Sequence, residues 1–168
     1  MLKKGNCEVK VPERFETERL LLRRSMVEDA EAIFAGYAQD HEVTKYLTWK
    51  ATGNIEDTRE HLRTSATAWR EGAVGVRVDG YKVELGYVLA RRFWGKGYMT
   101  EAVRAVVSWA LEEKDIYRVW AVCDVENQAS ARVMEKVGMQ REGILRRWTM
   151  HPNRSDEPRD CYCYAMTK

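Results

Sequence analysis

The sequence predicts one domain of the α+β or three-layer α/β class, built around a central sheet. A strand, a glycine-rich turn and a helix follow one another from Val83 to Glu113, and a nearly continuous apolar strand spans Arg118–Asp124. Such an apolar strand is typical of a sheet that is covered on both faces. The other strands and helices follow in mixed order, as in domains with a central sheet. The 168 residues favour a single domain with its own core.

Composition argues against several classes of partner. The 28 lysines and arginines nearly balance the 26 acidic residues, for a net charge of +2, so we expect no nucleic acid and no membrane surface as partner. The sequence shows no apolar signal-peptide core and no run of the ~20 apolar residues that a membrane span needs, which favours a cytoplasmic protein. The cysteine spacing does not fit a zinc site. We therefore expect no bound metal and buried free thiols at four positions: Cys7, Cys123, Cys161 and Cys163.

The N-terminal half is expected to contain one strand and three helical segments. Ser25 and Glu28 have the spacing of a capping box. Asn54 has the side chain of an N-cap, and Gly72 is suited to a helix C-terminus. In chain order we expect a flexible tail over residues 1–14 and then, within a domain spanning residues 15–168, a strand over Phe15–Arg24, a helix from Ser25 to about Gln39, a short helix or turn over His41–Trp49, and a helix from Asn54 through Leu62 and Trp69 to Gly72.

The C-terminal half is expected to contain most of the sheet. Gly86 lies inside a strand, where glycine often marks a bulge or a close backbone approach. In chain order we expect strands over Ala73–Val78 and Val83–Ala90 joined by a turn at Asp79-Gly80, a helix after Gly97 with an apolar face, the strand Arg118–Asp124, a helix from Asn127 to Gly138, and strands over Gly143–Met150 and Asp160–Met166.

The glycine-rich turn predicts a site for phosphate oxygens. Gly95 and Gly97 allow backbone N–H groups to face one point, and the following helix adds its free N-terminal N–H groups. Arg91, Arg92 and Lys96 add positive charge. An ordinary strand-to-helix turn with solvated basic residues is the alternative. The spacing fits neither the nucleoside-triphosphate loop nor the complete dinucleotide fingerprint.

The segment Arg92-Phe93-Trp94-Gly95-Lys96-Gly97 resembles the Arg/Gln-x-x-Gly-x-Gly/Ala signature of the GNAT acetyltransferase superfamily. The surrounding sequence is similar to the RimJ/RimL branch of protein N-terminal acetyltransferases. The similar segments are Thr17–Leu20, Glu84–Tyr87, Trp94–Tyr98, Glu101-Ala102, Asn127–Ser130 and Glu135–Gly138. The resemblance runs from about Phe15 to Met166. It implies the GNAT fold, a mixed central sheet with splayed parallel strands and helices on both faces.

The same resemblance implies acetyl-CoA as cosubstrate. Backbone groups of Tyr87, Val88 and Leu89 would bind pantetheine, while Asn127 and Ser130 would contact pantetheine and the sulfur. The pyrophosphate would be held by the turn and the first helical residues: Arg92, Gly95, Lys96, Gly97, Tyr98, Met99 and Thr100. The expected activity is transfer of an acetyl group to a primary amine by direct attack in a ternary complex. The acceptor is a protein N-terminus or a small amine.

Two side chains are candidates for catalysis, each with a structural alternative. Glu84 is the candidate general base, because the amine must lose a proton before it attacks; the alternative is a salt bridge on the strand surface. Ser130 is the candidate hydrogen-bond donor to the departing sulfur, where many GNAT enzymes use a tyrosine. The alternative is that Asn127 is only an N-cap and Ser130 only a first-turn residue. Backbone N–H groups near Tyr87 and Val88 would polarise the carbonyl.

Some features stay open at this level. The resemblance implies two antiparallel strands before Glu84, but residues 70–82 have room only for the one near Ala73–Val78; either a strand is absent or residues are missing between Gly72 and Ala73, and we expect the second. Tyr46 and Trp49 lie where the family builds its acceptor wall, or they belong to the core. A non-catalytic acyl-CoA-binding module is the alternative function. Exposed aromatic residues are compatible with a homodimer.

Overall fold

The structure, a computed structural model, describes residues 9–65 and 74–168. Single 3-10 turns at Val27–Asp29 and Arg91–Phe93 and a π-helical turn at Phe34–Ala38 accompany the regular elements. In chain order the elements are β1 (Arg14–Glu16), β2 (Leu21–Arg23), α1 (Ala30–Ile33), α2 (His41–Thr44), α3 (Ile55–Ser65), β3 (Val74–Asp79), β4 (Lys82–Tyr87), α4 (Tyr98–Glu112), β5 (Arg118–Asp124), α5 (Gln128–Val137), β6 (Gln140–Thr149) and β7 (Arg159–Thr167).

The described strands form a mixed sheet of five strands in the order β3-β4-β5-β7-β6. Only β4 and β5 are parallel to each other, and the other neighbours are antiparallel. The strands β1 and β2 form a separate antiparallel pair. This architecture confirms the expected fold class.

The parallel strands β4 and β5 separate along their length. Their ladder contains three partner pairs, of which Glu84–Trp120 is the last, although β4 continues to Tyr87 and β5 to Asp124. The expected splaying is therefore present, and we call the gap beyond Glu84–Trp120 the open seam. Of the two readings of Gly86, a bulge or a close backbone approach, the bulge is not found in the β3–β4 ladder, since Gly86 pairs with Gly75 in an unbroken register. Beyond this point β4 stays paired with β3 up to Tyr87, and β5 stays paired with β7 up to Asp124.

The helices α4 and α5 carry the apolar faces that the sequence predicts. Both pack into the main hydrophobic core, which also contains the β4 residues Val83 and Leu85. The buried residues of the two helices are Met99, Ala102, Val103, Val106, Val107 and Ala110 of α4 and Ala131 and Met134 of α5. The predicted ends of α5 are confirmed, because Asn127 is its N-cap and Gly138 closes it with a φ of +102°.

Two predictions in the N-terminal region are wrong. The single strand expected over Phe15–Arg24 is interrupted by a turn, in which the Thr17 N–H donates to the Leu20 carbonyl at 2.9 Å. Within this turn, Thr17 and Arg19 contact Glu101 of α4. The first helical turn is capped by Asp29 rather than by the expected Ser25 and Glu28 pair, since the Asp29 carboxylate accepts the Met26 N–H at 2.8 Å.

Several remaining expectations are confirmed, and others cannot be compared. Asn54 does cap α3, since its side-chain oxygen accepts the Glu56 N–H at 3.0 Å. Cys123, Cys161 and Cys163 are buried free thiols. The expectations for Cys7, Trp69 and Gly72, and for a strand between Gly72 and Ala73, fall outside the described residues. Val9 and Val11, inside the expected tail, pack partly buried against the core.

Neither a metal cluster nor a membrane span is found in the described part of the chain. No group of three or more histidine, cysteine, aspartate and glutamate side chains lies close enough together there to hold a metal ion. No helix in residues 9–65 and 74–168 is long and apolar enough to cross a membrane.

Candidate functional site

The glycine turn presents backbone donors at the start of α4. Gly95 and Gly97 have φ angles of +74° and +79°, in the left-handed region that side chains with a Cβ strongly disfavour. Gly97 is the N-cap of α4, and its carbonyl accepts the Glu101 N–H at 3.0 Å. The three N–H groups between these residues, of Tyr98, Met99 and Thr100, have no acceptor within the helix. A helix start of this kind is suited to bind an anion.

Positive side chains flank this turn, but Arg91, which was predicted to add positive charge to it, is already paired with a carboxylate. The Arg92 guanidinium and the Lys96 ammonium lie over the Phe93 ring, 4.9 and 5.8 Å from its centroid. Arg91 instead donates to the Asp40 carboxylate at 2.5 Å, and this hydrogen bond holds the Asp40 pKa below its usual range. Arg92 and Lys96 are therefore the cations of the turn that remain for a ligand.

The N-terminal segment contacts the glycine turn and the first turn of α4 through hydrogen bonds and an ion pair. Arg19 donates to the Lys96 carbonyl at 3.0 Å and forms an ion pair with Glu101 at 2.6 Å. Thr17 Oγ1 donates to the same Glu101 carboxylate at 2.6 Å. Thr17, Arg19 and Glu101 belong to the segments that resemble the RimJ/RimL branch, but the resemblance implies no role for them. Their separation by more than 80 positions in the chain gives no local signal of the contact.

Backbone groups of β4 face the open seam. The Tyr81 carbonyl accepts the Tyr117 N–H at 2.9 Å, so the peptide groups of alternate residues, through Val83 and Leu85 to Tyr87, point toward β5. Tyr87 lies beyond the last partner pair of the described β4–β5 ladder. Its backbone therefore faces the gap where the resemblance expects pantetheine.

The residues after Tyr87 line a cleft next to the glycine turn. Val88, Leu89, Ala90, Arg92 and Phe93 line a cleft of about 330 Å³. The cleft is also lined by Leu21–Arg23, by the α1 region and by Val74. The Leu89 carbonyl is already an acceptor, since the Trp94 indole N–H donates to it at 2.6 Å. This hydrogen bond holds the turn against the strand end and occupies one of the two lone pairs of the carbonyl oxygen.

The side chain of Tyr87, at the end of β4, contacts Ser130 in α5. The Tyr87 hydroxyl lies 2.8 Å from Ser130 Oγ and 3.1 Å from the Ser130 carbonyl oxygen. Burial raises the pKa of Tyr87, so the phenol stays protonated. Asn127 Oδ1 accepts the Ser130 N–H at 3.2 Å, which confirms its expected N-cap role. Sequence reasoning placed Ser130 here but considered only the backbone of Tyr87.

Glu84 marks the point where the seam begins. It is the last β4 residue that pairs with β5, and its carboxylate forms an ion pair with Arg77 of β3. The salt bridge considered as the alternative is thus present. The Glu84 side chain is 28% exposed and that of Arg77 57% exposed. Because β4 is regular, Glu84 and Tyr87 point to opposite faces of the sheet.

A second polar group lies at the carboxyl end of β5. The buried Asp124 carboxylate accepts Arg159 Nε at 2.5 Å and the Glu126 N–H at 2.8 Å. His151 is 4% exposed, and neither of its ring nitrogens has a hydrogen-bond partner. Its Nε2 lies 3.8 Å from Asp124 Oδ2. Sequence reasoning assigned His151 no role, and nothing in its sequence surroundings indicates that it is buried.

The proposed acceptor wall is held by the connection between β6 and β7. Asn153 Nδ2 donates to the carbonyls of Thr44 and Trp49, each at 2.8 Å. The Tyr46 ring packs edge-on against His151, with centroids 6.1 Å apart. Tyr46 and Trp49 are both half-buried. They can therefore contribute at once to packing and to a wall beside the site.

Comparison with known proteins gives consistent matches over nearly the whole chain. Residues 19–140 match the family described as "Acetyltransferase (GNAT) domain". The uncharacterised N-acetyltransferase YoaA of Bacillus subtilis is 32% identical in an alignment 173 residues long, which covers 91% of this chain and 96% of that protein. A GNAT-family acetyltransferase of Bacillus anthracis, solved by crystallography, is 30% identical with a TM-score of 0.80, covering 92% of this chain and 98% of that one.

A more distant solved structure contains coenzyme A. RimL, the ribosomal L7/L12 α-N-protein acetyltransferase in complex with coenzyme A, has a TM-score of 0.77 over 92% of this chain and 98% of that one. The sequences are 20% identical. At this identity the similarity is one of fold.

Proposed function

Since the chain belongs to the GNAT family of acetyltransferases, we propose that it transfers the acetyl group of acetyl-CoA to a primary amine by direct attack in a ternary complex. The observation that carries this proposal is the position of the glycine turn. Its two left-handed glycines start α4 directly after the strand that separates from its parallel neighbour. A phosphate site and an exposed strand edge thus lie next to each other, as a ligand with a pyrophosphate and an amide-bearing arm requires.

The turn fits a pyrophosphate. Its donors are the N–H groups of Tyr98, Met99 and Thr100, supplemented by the side chains of Arg92 and Lys96. A Cβ placed on Gly95 would meet no protein atom within 4 Å, so the space in front of the turn is open. Pantetheine would then lie along the seam against the backbone of Tyr87, Val88 and Leu89, with Asn127 on its other side. GNAT structures with bound coenzyme A, such as that of RimL, support this assignment of the cosubstrate.

The chemistry is assigned to three sets of groups. Glu84 takes the proton of the amine, directly or through a water molecule. Backbone N–H groups near Tyr87 and Val88 polarise the acetyl carbonyl, where negative charge develops during attack. The Ser130 hydroxyl donates a hydrogen bond to the departing sulfur. Arg77 is more than half exposed, so its ion pair with Glu84 is weak enough to be exchanged for an incoming ammonium.

The acceptor is proposed as a class. The RimJ/RimL resemblance favours a protein N-terminus, and a small primary amine is the second member of the class. Fold and coenzyme site do not distinguish the two. The acceptor would enter between the Tyr46 and Trp49 wall and Glu84.

Two measurements test the proposal. A panel of amines containing peptides with free N-termini, polyamines and amino sugars is assayed for release of free thiol from acetyl-CoA. In parallel, thermal unfolding is followed with and without acetyl-CoA, because a ligand that binds the native state raises the midpoint. Thiol release that depends on one class of amine supports the enzyme. A raised midpoint without turnover on any amine would favour the non-catalytic acyl-CoA-binding module, and no change in midpoint would refute the coenzyme site.

A further inference from the structure

The contact between Tyr87 and Ser130 joins the end of β4 to α5, the helix that follows β5. Tyr87 is the last residue of β4, and Ser130 lies in the first turn of α5. The two hydroxyl oxygens are 2.8 Å apart. The resemblance implies that Ser130 contacts the sulfur of the coenzyme, which would bring the pair next to the bond that must break.

The arrangement of protons in this pair has two forms. Each hydroxyl carries one hydrogen and accepts through its lone pairs. If Tyr87 donates to the Ser130 carbonyl at 3.1 Å, the hydroxyl of Ser130 can donate to Tyr87 and has no hydrogen left for a ligand. If Tyr87 donates to Ser130 Oγ at 2.8 Å, the Ser130 hydrogen is not used within the pair and can be donated to a ligand or to the neighbouring Cys123 thiol. The two forms differ by hydroxyl rotation alone.

We propose that Tyr87 is a positioning residue that turns the Ser130 hydroxyl toward the sulfur of the thioester, an inference that rests on the proposed acetyltransferase function. As the carbon–sulfur bond breaks, negative charge accumulates on the sulfur. A charged acceptor makes a stronger hydrogen bond than a neutral one. The form in which Ser130 donates to the sulfur, with Tyr87 donating to Ser130, is therefore favoured when the charge develops.

The reaction balances without ionisation of either hydroxyl. The lone pair of the amine forms the new nitrogen–carbon bond, and the electron pair of the carbon–sulfur bond leaves with the sulfur. The amine proton passes to Glu84 or to water, and the coenzyme thiolate takes a proton from water on release. Tyr87 and Ser130 keep their protons and stabilise the thiolate by a chain of two hydrogen bonds.

Tyr164 provides a matched control for this role. It is also a tyrosine of the sheet whose hydroxyl reaches α5, where it donates to Glu135 at 2.8 Å. It is buried, and burial raises its pKa to about 12. Its contact lies further along α5, away from Ser130. A tyrosine that matters only for packing α5 against the sheet should therefore behave like Tyr164.

The test compares Tyr87→Phe, Ser130→Ala, the double variant and Tyr164→Phe in the full chain. We expect Tyr87→Phe to lower kcat by about tenfold, on the scale of one lost hydrogen bond in the chain that stabilises the thiolate. Its KM and Kd for acetyl-CoA should stay within about twofold of wild type, because the backbone that binds pantetheine is unchanged. The double variant should be no slower than Ser130→Ala, since Tyr87 acts through Ser130. Tyr164→Phe should lower the unfolding midpoint but leave kcat within about twofold.

Three results would overturn the inference. One is a Tyr87→Phe variant with the kcat of wild type, and another is a double variant whose loss is the product of the two single losses. If Tyr87→Phe does not fold, Ser130→Ala decides, and full kcat in that variant refutes the hydrogen-bond chain. These results differ from a failure of the proposed function, in which the wild-type protein itself releases no thiol with any amine and the inference falls with it.

Discussion

Arg19 binds the Glu101 carboxylate through two nitrogens, Nε at 2.7 Å and Nη2 at 2.6 Å, and so ties the N-terminal segment to the first turn of α4. The third guanidinium nitrogen donates to the Lys96 carbonyl inside the glycine turn at 3.0 Å. The Glu101 carboxylate also accepts the Thr17 hydroxyl, which together with Arg19 lowers its pKa. The conformation of the proposed pyrophosphate site is therefore set in part by residues near the start of the chain.

We expect Arg19→Ala to weaken acetyl-CoA binding by about tenfold, because a turn that is no longer held in place loses its preorganisation. The KM for acetyl-CoA should rise while kcat at saturation stays within about threefold. Titration calorimetry and initial rates provide the measurements. Arg14→Ala is the control, since Arg14 forms an exposed ion pair with Glu16 on the same segment, and such pairs contribute little. Unchanged affinity in Arg19→Ala would contradict the bracing role.

The two glycines of the turn should respond differently from a third glycine of similar backbone shape. Gly95→Ala and Gly97→Ala force a Cβ into left-handed conformations, which costs roughly 1–2 kcal/mol each. The Gly97 variant also brings its Cβ to 3.4 Å from Arg19 Nη2. Both should lower the unfolding midpoint and weaken acetyl-CoA binding.

Gly80→Ala is the control for these two glycine variants. Gly80 has a φ of +58° in the β3–β4 turn, and a Cβ there would meet no atom within 4 Å. This variant should show the same fall in unfolding midpoint, measured by thermal denaturation, with unchanged affinity for acetyl-CoA. A loss of affinity in Gly80→Ala equal to that in Gly97→Ala would show that general destabilisation, and not the shape of the turn, controls binding.

The elements that the sequence predicted well are those whose signals are local. The strand β5 has the predicted bounds because its apolar run is continuous, and α5 begins and ends at a capping asparagine and a glycine. The first strand was predicted wrongly because its interruption depends on a long-range partner. From the local sequence alone, Thr17 and Arg19 are compatible with a strand, and only the folded structure shows that they contact Glu101. The cap of the first helical turn is Asp29 instead of the predicted Glu28, one position away. Asp29 also forms an ion pair with Arg23, which the local sequence does not indicate.

In the candidate site, too, features with a local sequence signal could be predicted, whereas features that depend on long-range contacts could not. The glycine turn could be located from its spacing, since the left-handed glycines are a backbone requirement visible in the residue types. The contact of Tyr87 with Ser130 could not, because it joins residues 43 positions apart across a gap between strands. The burial of His151 depends on three separate segments: its own loop, the end of β5 at Asp124 and the ring of Tyr46.

The buried His151 should make the protein less stable below neutral pH. Burial lowers its pKa, and the neighbouring Asp124 carboxylate only partly opposes this shift. The unfolded chain takes up the proton near pH ~6.5, whereas the native state does so only at lower pH. The free energy of unfolding therefore falls as the pH drops below about 6.5, with a limiting slope of ~1.4 kcal/mol per pH unit for one proton.

Replacing the His151 imidazole tests whether this residue causes the loss of stability below neutral pH. The pKa of Asp124 is lowered: burial raises it, but the hydrogen bonds from Arg159 and the Glu126 N–H outweigh that effect. The contribution of the Asp124 carboxylate to the free energy of unfolding is lost only below about pH 4. A change in stability between pH 7 and pH 5 is therefore due mainly to His151. We expect His151→Phe, which keeps a ring against Tyr46, to flatten the pH dependence of the unfolding midpoint in that window. A slope equal to that of wild type would show that another group is responsible.

The ion pair between Glu84 and Arg77 allows the two readings of Glu84 to be separated. If the pair is only a surface salt bridge, removing either partner breaks the same interaction, and Glu84→Gln and Arg77→Gln should have equal and small effects. If Glu84 is the general base, Glu84→Gln should lower kcat by about 10²–10⁴, whereas Arg77→Gln should keep kcat within about threefold because the carboxylate remains. Affinity for acetyl-CoA, measured by calorimetry, should be unchanged in both variants, since neither side chain belongs to the glycine turn.

Arg118→Gln, which breaks another cross-strand ion pair with Glu142, provides the baseline for losing such a pair. Equal rates for Glu84→Gln and Arg77→Gln would remove Glu84 from the mechanism and direct the search for the base to a water held by the backbone of the open seam.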